Sequence, residues 1–262
     1  MINTLVEICR KLRLSGLLTS LELRLQEATS HQLPPSQFLE LILQDELNVR
    51  HQRLLERRKK LAHFRELKSL EDFDWSFNSS IPRARLYDLA TGHFIAQSRD
   101  VLLLGPPGVG KSHLAQALGY AAIKAGYQAL YCSIFDLVRE LQADASPAQS
   151  ERTLNKYLKP QLLCIDDFGM KHFPPKSAES LLELIVRRHQ NRSTLMTSNR
   201  PIEDWGQLLG DVPAATAILD RFLQQAEILQ ITGRSYRLKN ASPLAAPPQK
   251  AKSSGLSAGK KR

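Results

Sequence analysis

The chain has 262 residues, 42% of them hydrophobic, and a formal net charge of +10. That length allows one α/β domain of ordinary size plus an appendage, with enough apolar content for a real core. There is no run of about 18 apolar residues, so no membrane-spanning helix is expected, and MINTLVEICRKLRLSG at the start lacks the apolar core of a secretory signal. Cys9, Cys132 and Cys164 are an odd set without paired spacing, which argues against a disulfide framework or zinc site and for a reducing, cytoplasmic compartment.

Residues 1–75 read as helical, with apolar residues at Leu5, Ile8, Leu12, Leu14, Leu17, Leu18, Leu21 and Leu25. Pro34-Pro35 breaks the run, and Ser36 is a candidate cap for a second helix. On that helix Arg50, Arg53, Arg57 and Lys60 share one face. Such a face can lie along DNA phosphates or be an ordinary solvated surface. This segment is nearly neutral, with 12 Lys+Arg against 11 Asp+Glu.

Residues 71–87 are acidic and aromatic, then Asn-Ser-Ser-Ile-Pro, and read as a linker. Beyond it apolar strands at 101–104, 128–133, 161–165 and 193–197 alternate with helical patterns at 111–125, 134–142 and 177–190. That alternation implies βαβ units, a mainly parallel sheet and a ligand site at the carboxyl ends of the strands.

The first strand runs into Gly105, Pro106, Pro107, Gly108, Val109, Gly110, Lys111 and Ser112, which fill the fixed positions of a phosphate-binding loop. Glycines let several backbone N–H groups converge on one phosphate. The following helix points its positive end at the same anion. Lys111 reaches the β- and γ-phosphates, and the Ser112 hydroxyl is a ligand for Mg²⁺. His113 follows directly and completes the candidate set for ATP.

Leu162-Leu163-Cys164-Ile165-Asp166-Asp167 is an apolar strand ending in two carboxylates. Asp166 is assigned to the metal and Asp167 to polarising the attacking water. Asn199, after the strand 193–197, is placed to orient water or touch the γ-phosphate, or else to form a turn before Pro201. Arg221, in the amphipathic run Ala217–Phe222, either stabilises transition-state charge or pairs with Asp220. Arg237 closes the folded region and can reach the nucleotide. Residues 241–262 hold five basic residues, no acid, and mostly Ala, Pro, Ser and Gly, so disorder is expected there.

GPPGVGKS (105–112), LLCIDDFG (162–169), TSNRP (197–201), AILDRF (217–222) and GRSYRL (233–238), in this order, resemble the AAA+ ATPases. Within them the match is to the IstB-like ATP-binding proteins, the transposition helpers of IS21-type insertion sequences, which are related to DnaC-type helicase loaders. Leu-Ser-Gly-Leu at 14–17 fits the same family. The resemblance implies a three-layer P-loop core with a parallel sheet at 76–240, after a small all-helical module at 1–75 for DNA or partner binding. It makes Lys111 and Ser112 the Walker A pair, Asp166 and Asp167 Walker B, Asn199 sensor I, Arg221 an arginine finger acting across a subunit interface, and Arg237 sensor II. Many AAA+ proteins carry Asp-Glu where this chain has Asp-Asp. The shorter side chain requires a closer water or gives slower hydrolysis. The segment 134–160 takes the place of extra helices that touch nucleic acid in helicase loaders, making Arg152, Lys156 and Lys159 candidate phosphate contacts.

The expected function is an ATP-dependent regulator that binds duplex DNA with weak sequence preference, oligomerises on it and assists a transposase. A replicative helicase loader is the alternative. A small-molecule P-loop kinase fits the basic helix and tail poorly, and a scaffold that binds but barely hydrolyses ATP stays open because of Asp167.

Overall fold

The computed structural model describes residues 2–143, 146–170, 173–174 and 176–238. The tail expected to be disordered lies outside them. The first helices are α1 (Ile2–Lys11), α2 (Ser15–Ser30) and α3 (Pro35–Leu61). Ser36 does not cap α3: the helix starts with Pro35 at its first position and Pro34 before it. Proline suits that position because its missing N–H has no helical partner there and its φ is already set.

Two features at Gly16 bring α2 close to α3. A Cβ on Gly16 would lie 2.7 Å from Val49 Cβ and 3.0 Å from Glu46 Cα, so glycine is what allows the close approach. Glu46, buried on α3, accepts the N–H groups of Gly16 (2.6 Å) and Leu17 (2.9 Å). A residue of one helix thus satisfies the open amides of another, which no side chain on α2 itself does. Cys9, Leu17, Leu21 and Ile42 form the small core of this module.

The helical reading of 1–75 stops at Leu61. Residues 62–82 run without helix, because His63 turns into the left-handed region (φ 54°) and Ala62, Leu70, Phe73 and Trp75 are drawn onto the next core. There follow α4 (Arg83–Ala90), α5 (His93–Ala96), β1 (Val101–Leu104), α6 (Lys111–Lys124), β2 (Ala129–Ser133), α7 (Ile134–Leu141), α8 (Pro147–Leu158), β3 (Leu162–Phe168), α9 (Ser177–Arg188), β4 (Ser193–Ser198), α10 (Trp205–Leu209), α11 (Val212–Leu223) and β5 (Glu227–Gln230).

The sheet order is β2-β3-β4-β1-β5, and every neighbouring pair is parallel. Alternate residues feed two cores, one on each face. Val101, Leu103, Leu162 and Cys164 pack with α4–α6, whereas Leu102, Leu163, Ile165 and Met196 pack with α7–α11. Burial on both faces explains the unbroken apolar runs of the central strands. The edge strand β5 escaped sequence reading because only Leu229 of its four residues is buried. Among the described residues no helix is long and apolar enough to cross a membrane.

Burial would raise the Glu46 pKa, but the amides of Leu17 and Gly16 and the Arg50 guanidinium outweigh it and hold the carboxyl below its ordinary range. Its stabilising contribution is therefore present above the ordinary glutamate pKa and lost as pH falls through the depressed one. Glu46→Ala is expected to cost about 1–2 kcal/mol in urea unfolding at neutral pH, and the difference from the parent should shrink in acid.

Candidate nucleotide-binding site

A cleft of about 420 Å³ opens where β1, β3 and β4 end, as expected for a parallel sheet. Pro107, Gly108, Val109, Gly110, Lys111, Ser112 and His113 line it together with Asp167, Asn199 and Arg237. Gly105 and Pro106 contribute backbone: their carbonyls accept Lys111 Nζ at 2.7 and 2.8 Å. Burial lowers the Lys111 pKa, and Asp166 and Asp167 oppose that shift. Gly110 caps α6 at φ 101°, so the helix begins at Lys111 and its first amides have no intrahelical acceptor. That end is built to receive anionic oxygens.

Asp166 is fully buried at the end of β3. Its carboxylate accepts the hydroxyls of Ser112 (3.1 Å), Thr197 and Tyr131. Burial and the Asp166 charge push the Tyr131 phenol far up, so it is a hydrogen-bond donor at neutral pH. A P-loop hydroxyl beside a strand-end carboxylate is the donor pair that fits Mg²⁺ with a triphosphate. Among the described residues there is no cluster of three His, Cys, Asp or Glu. The Ser112 hydroxyl beside the Asp166 carboxylate suits Mg²⁺, which usually takes one or two carboxylates and fills its shell with phosphate and water.

Asp167 sits at a bulge in the β3–β4 pairing with φ 66°. Aspartate tolerates that conformation better than most residues. The bulge lets both adjacent carboxylates serve the strand end instead of alternating across the sheet. The Asp167 N–H donates to Thr197 Oγ1 at 3.1 Å. Burial and Asp166 push its pKa up, while Arg65 and Arg237 pull it down. Asn199 Oδ1 is buried without a hydrogen-bond partner, in a residue that lines the cleft. An orphaned acceptor at that place suits a water or another donor from the ligand.

The segment 62–82, which overlaps the stretch 71–87 expected to be a linker, supplies a wall of the cleft. Phe73, Asp74, Phe77 and Asn78 line the cleft opposite the P-loop. The His113 ring holds this wall through Ser69 O (3.0 Å) and the edge of Phe73 (centroids 5.0 Å apart). Phe77 meets Tyr236 edge-on at 4.9 Å, and Asn78 Nδ2 donates to Thr232 O at 2.6 Å. The only signal was an aromatic triplet, Phe73, Trp75 and Phe77, in a stretch otherwise polar.

Arg221 stands apart. It lies on α11, does not line the cleft, and donates to Ala217 O of its own helix at 3.1 Å. Among the described residues it makes no ion pair, so the pairing with Asp220 does not form. The N-terminal basic face is partly engaged: Arg50 pairs with Glu46 (2.6 Å) and Arg53 donates to Ser15 Oγ. Arg57 and Lys60 are exposed. On α8 Lys156 pairs with Glu140 at 2.6 Å, and Arg152, with Lys159 just beyond the helix, is exposed.

A Cβ on Gly110 would lie 2.8 Å from Phe73 Cε2, in a left-handed conformation unfavourable to alanine. Gly110→Ala is expected to weaken binding of a fluorescent ATP analogue at least about tenfold, the equivalent of roughly 1.4 kcal/mol, with the far-ultraviolet circular dichroism unchanged.

Comparison with known proteins agrees with this geometry. The family model described as IstB-like ATP binding protein matches residues 8–243. A protein named for ATP binding in insertion sequence IS21 of Pseudomonas aeruginosa is 39% identical over 229 residues, covering 87% of this chain and 86% of the relative. Its counterpart in IS5376 of Geobacillus stearothermophilus is 34% identical over 233 residues, covering 89% and 93%. The crystal structure of DnaI superposes with a TM-score of 0.55 at 22% identity, over 66% of this chain and 94% of that one. AMPPCP-bound DnaA from Aquifex aeolicus gives 0.52 at 20% identity, over 64% and 51%. These two likenesses concern the fold, that of the AAA+ P-loop domains. With the cleft, the P-loop and the family match in agreement, the chain belongs to the IstB-like ATP-binding proteins.

Proposed function

We propose that this protein is a DNA-stimulated ATPase that assembles on duplex DNA and assists the transposase of its own insertion sequence, with ATP as the switch for assembly. The observation that carries the reading is the split of the site. Lys111, Asp167, Asn199 and Arg237 line one cleft, with Asp166 buried directly behind Ser112, while Arg221 lies outside it on α11. A site that lacks one cation of the expected set is suited to completion by a neighbouring subunit. The relatives' names, which place them in insertion sequences, favour a transposase over a helicase as partner.

In this reading Lys111 and the α6 amides bind the phosphates, and Ser112 and Asp166 hold Mg²⁺, whose charge would offset that of the triphosphate. Phe77 and Tyr236 offer aromatic surface for the base. Asp167 takes a proton from the attacking water, Asn199 orients that water, and Arg237 with a neighbour's Arg221 stabilises the transferring phosphoryl group. Of the N-terminal residues 1–75, the helices up to Leu61 act as the DNA- or partner-binding module and 62–75 join 76–240 in the ATPase core, with 241–262 as a basic tail. The exposed Arg57, Lys60, Arg152 and Lys159 contact phosphates without reading bases, so DNA affinity should fall steeply with salt.

Phosphate release measured with and without duplex DNA, beside electron microscopy of the mixture, tests this. DNA should raise turnover of the parent protein. Asp167→Asn should lose DNA-stimulated release, by about a hundredfold or more, while keeping ATP and DNA binding. Lys111→Ala should lose ATP binding and the DNA-bound assemblies with it. Assemblies that persist in Lys111→Ala contradict the coupling, and turnover that ignores DNA but rises with a metabolite favours a kinase.

A further inference from the structure

The nucleotide cleft is not the only place Asp167 faces. Arg65 Nη2 lies 3.3 Å from Asp167 Oδ2, across 102 positions of sequence. Arg65 does not line the nucleotide cleft. It lines a second cleft of about 340 Å³, formed with His63, Tyr131 and Ser133 at the end of β2. The ion pair therefore joins two clefts, with the carboxylate on the nucleotide side and the guanidinium on the other. Arg65 also lies over the ring of Tyr131, 5.9 Å from its centroid, and Tyr131 in turn donates to Asp166.

Arg65 arrives there from the helical module. It is four residues beyond Leu61, the end of α3, the helix that carries Arg57 and Lys60. The connection is short and fixed at both sides: Tyr131 N–H donates to Ala62 O at 2.8 Å, Ala62 is fully buried, and a Cβ on Gly119 would lie 2.8 Å from the Phe64 ring. Little slack separates the basic end of α3 from the guanidinium. The Arg65 side chain itself is 55% exposed and the Asp167 side chain 26%. A pair this exposed holds a geometry by only a modest free energy, and can be broken by a modest force.

We propose that Arg65 is a positioning residue that restrains Asp167, drawing its carboxylate away from the triphosphate, and that displacement of α3 by bound DNA releases it. This rests on the reading of Asp167 as the group that takes the proton from water. The restraint makes DNA-free hydrolysis slow by geometry: a carboxylate turned toward Arg65 is not aimed at a water beside the γ-phosphate. It also gives the helical module a direct physical line to the catalytic carboxylate, through one short segment of chain.

Steady-state ATP turnover of the full chain decides the matter. Arg65→Gln is expected to raise kcat without DNA up to about fivefold, the kinetic equivalent of one exposed ion pair, with KM for ATP unchanged. Arg65→Lys should restore the parent value by restoring the charge. Arg65→Gln combined with Asp167→Asn should be as slow as Asp167→Asn alone, because the restraint acts only through that carboxylate. The factor by which duplex DNA stimulates turnover should be smaller in Arg65→Gln than in the parent. A DNA-free kcat that stays level or falls in Arg65→Gln overturns the restraint, as does an equal rise in the Asp167→Asn background. An undiminished DNA factor overturns the link to α3. Full turnover in Asp167→Asn alone would instead sink the assignment of Asp167, a failure separate from that of Arg65.

Discussion

A carboxylate without solvent must be satisfied by its neighbours, because an unpaired buried charge costs several kcal/mol. Asp166 is fully buried and meets this demand with three hydroxyls, Ser112 on α6, Thr197 on β4 and Tyr131 on β2. Those donors come from three different elements, and Asp166 lies on a fourth. One side chain thus sets the P-loop helix against the ends of three adjacent strands. The position of Lys111, the reach of Asp167 and the placing of Asn199 all depend on that knot, since each lies one or two positions from a member of it.

The same knot explains how the N-terminal segment enters the site. Tyr131 gives its hydroxyl to Asp166 and its backbone N–H to Ala62 O. Its ring lies beneath Arg65. From there the chain passes over α6, where Phe64, Phe73 and His113 pack, and ends on Thr232 through Asn78. The stretch between the helical module and the sheet is therefore a structural part of the cleft. It brings aromatic surface to one side of the P-loop and a cation to the far side of Asp167.

What could be read from sequence follows from how local each feature is. The P-loop is contiguous, and its glycines, lysine and serine carry their reason at fixed spacing, so Gly105–Ser112 was legible. The pair Asp166-Asp167 was legible because it ends a run of apolar residues buried on both faces of a parallel sheet. Arg237 was legible as the last cation of the folded region, its sensor II role only through family resemblance, and the structure brings it into the cleft. Arg65, Phe77 and Tyr131 were not legible. Their partners lie far away in sequence, and no periodicity marks a residue whose task is to cross from one module to another. The four-residue strand β5, with one buried side chain, offered too short a pattern. Ser36 misled for a different reason: a good capping residue lost to a proline pair whose geometry starts the helix without it.

The central claim is that each site is half a site, and that Arg221 serves the neighbour's nucleotide. Mixing two inactive variants tests this most directly. Lys111→Ala lacks the P-loop cation but keeps Arg221, and Arg221→Ala lacks the finger but keeps an intact P-loop. Each alone should release phosphate at background rate on duplex DNA. Mixed in equal amounts they should recover a measurable part of the parent turnover, because a Lys111→Ala subunit completes the site of its Arg221→Ala neighbour. Full activity of Arg221→Ala alone, or no recovery although the mixture of the two variants forms joint assemblies on DNA, would contradict it.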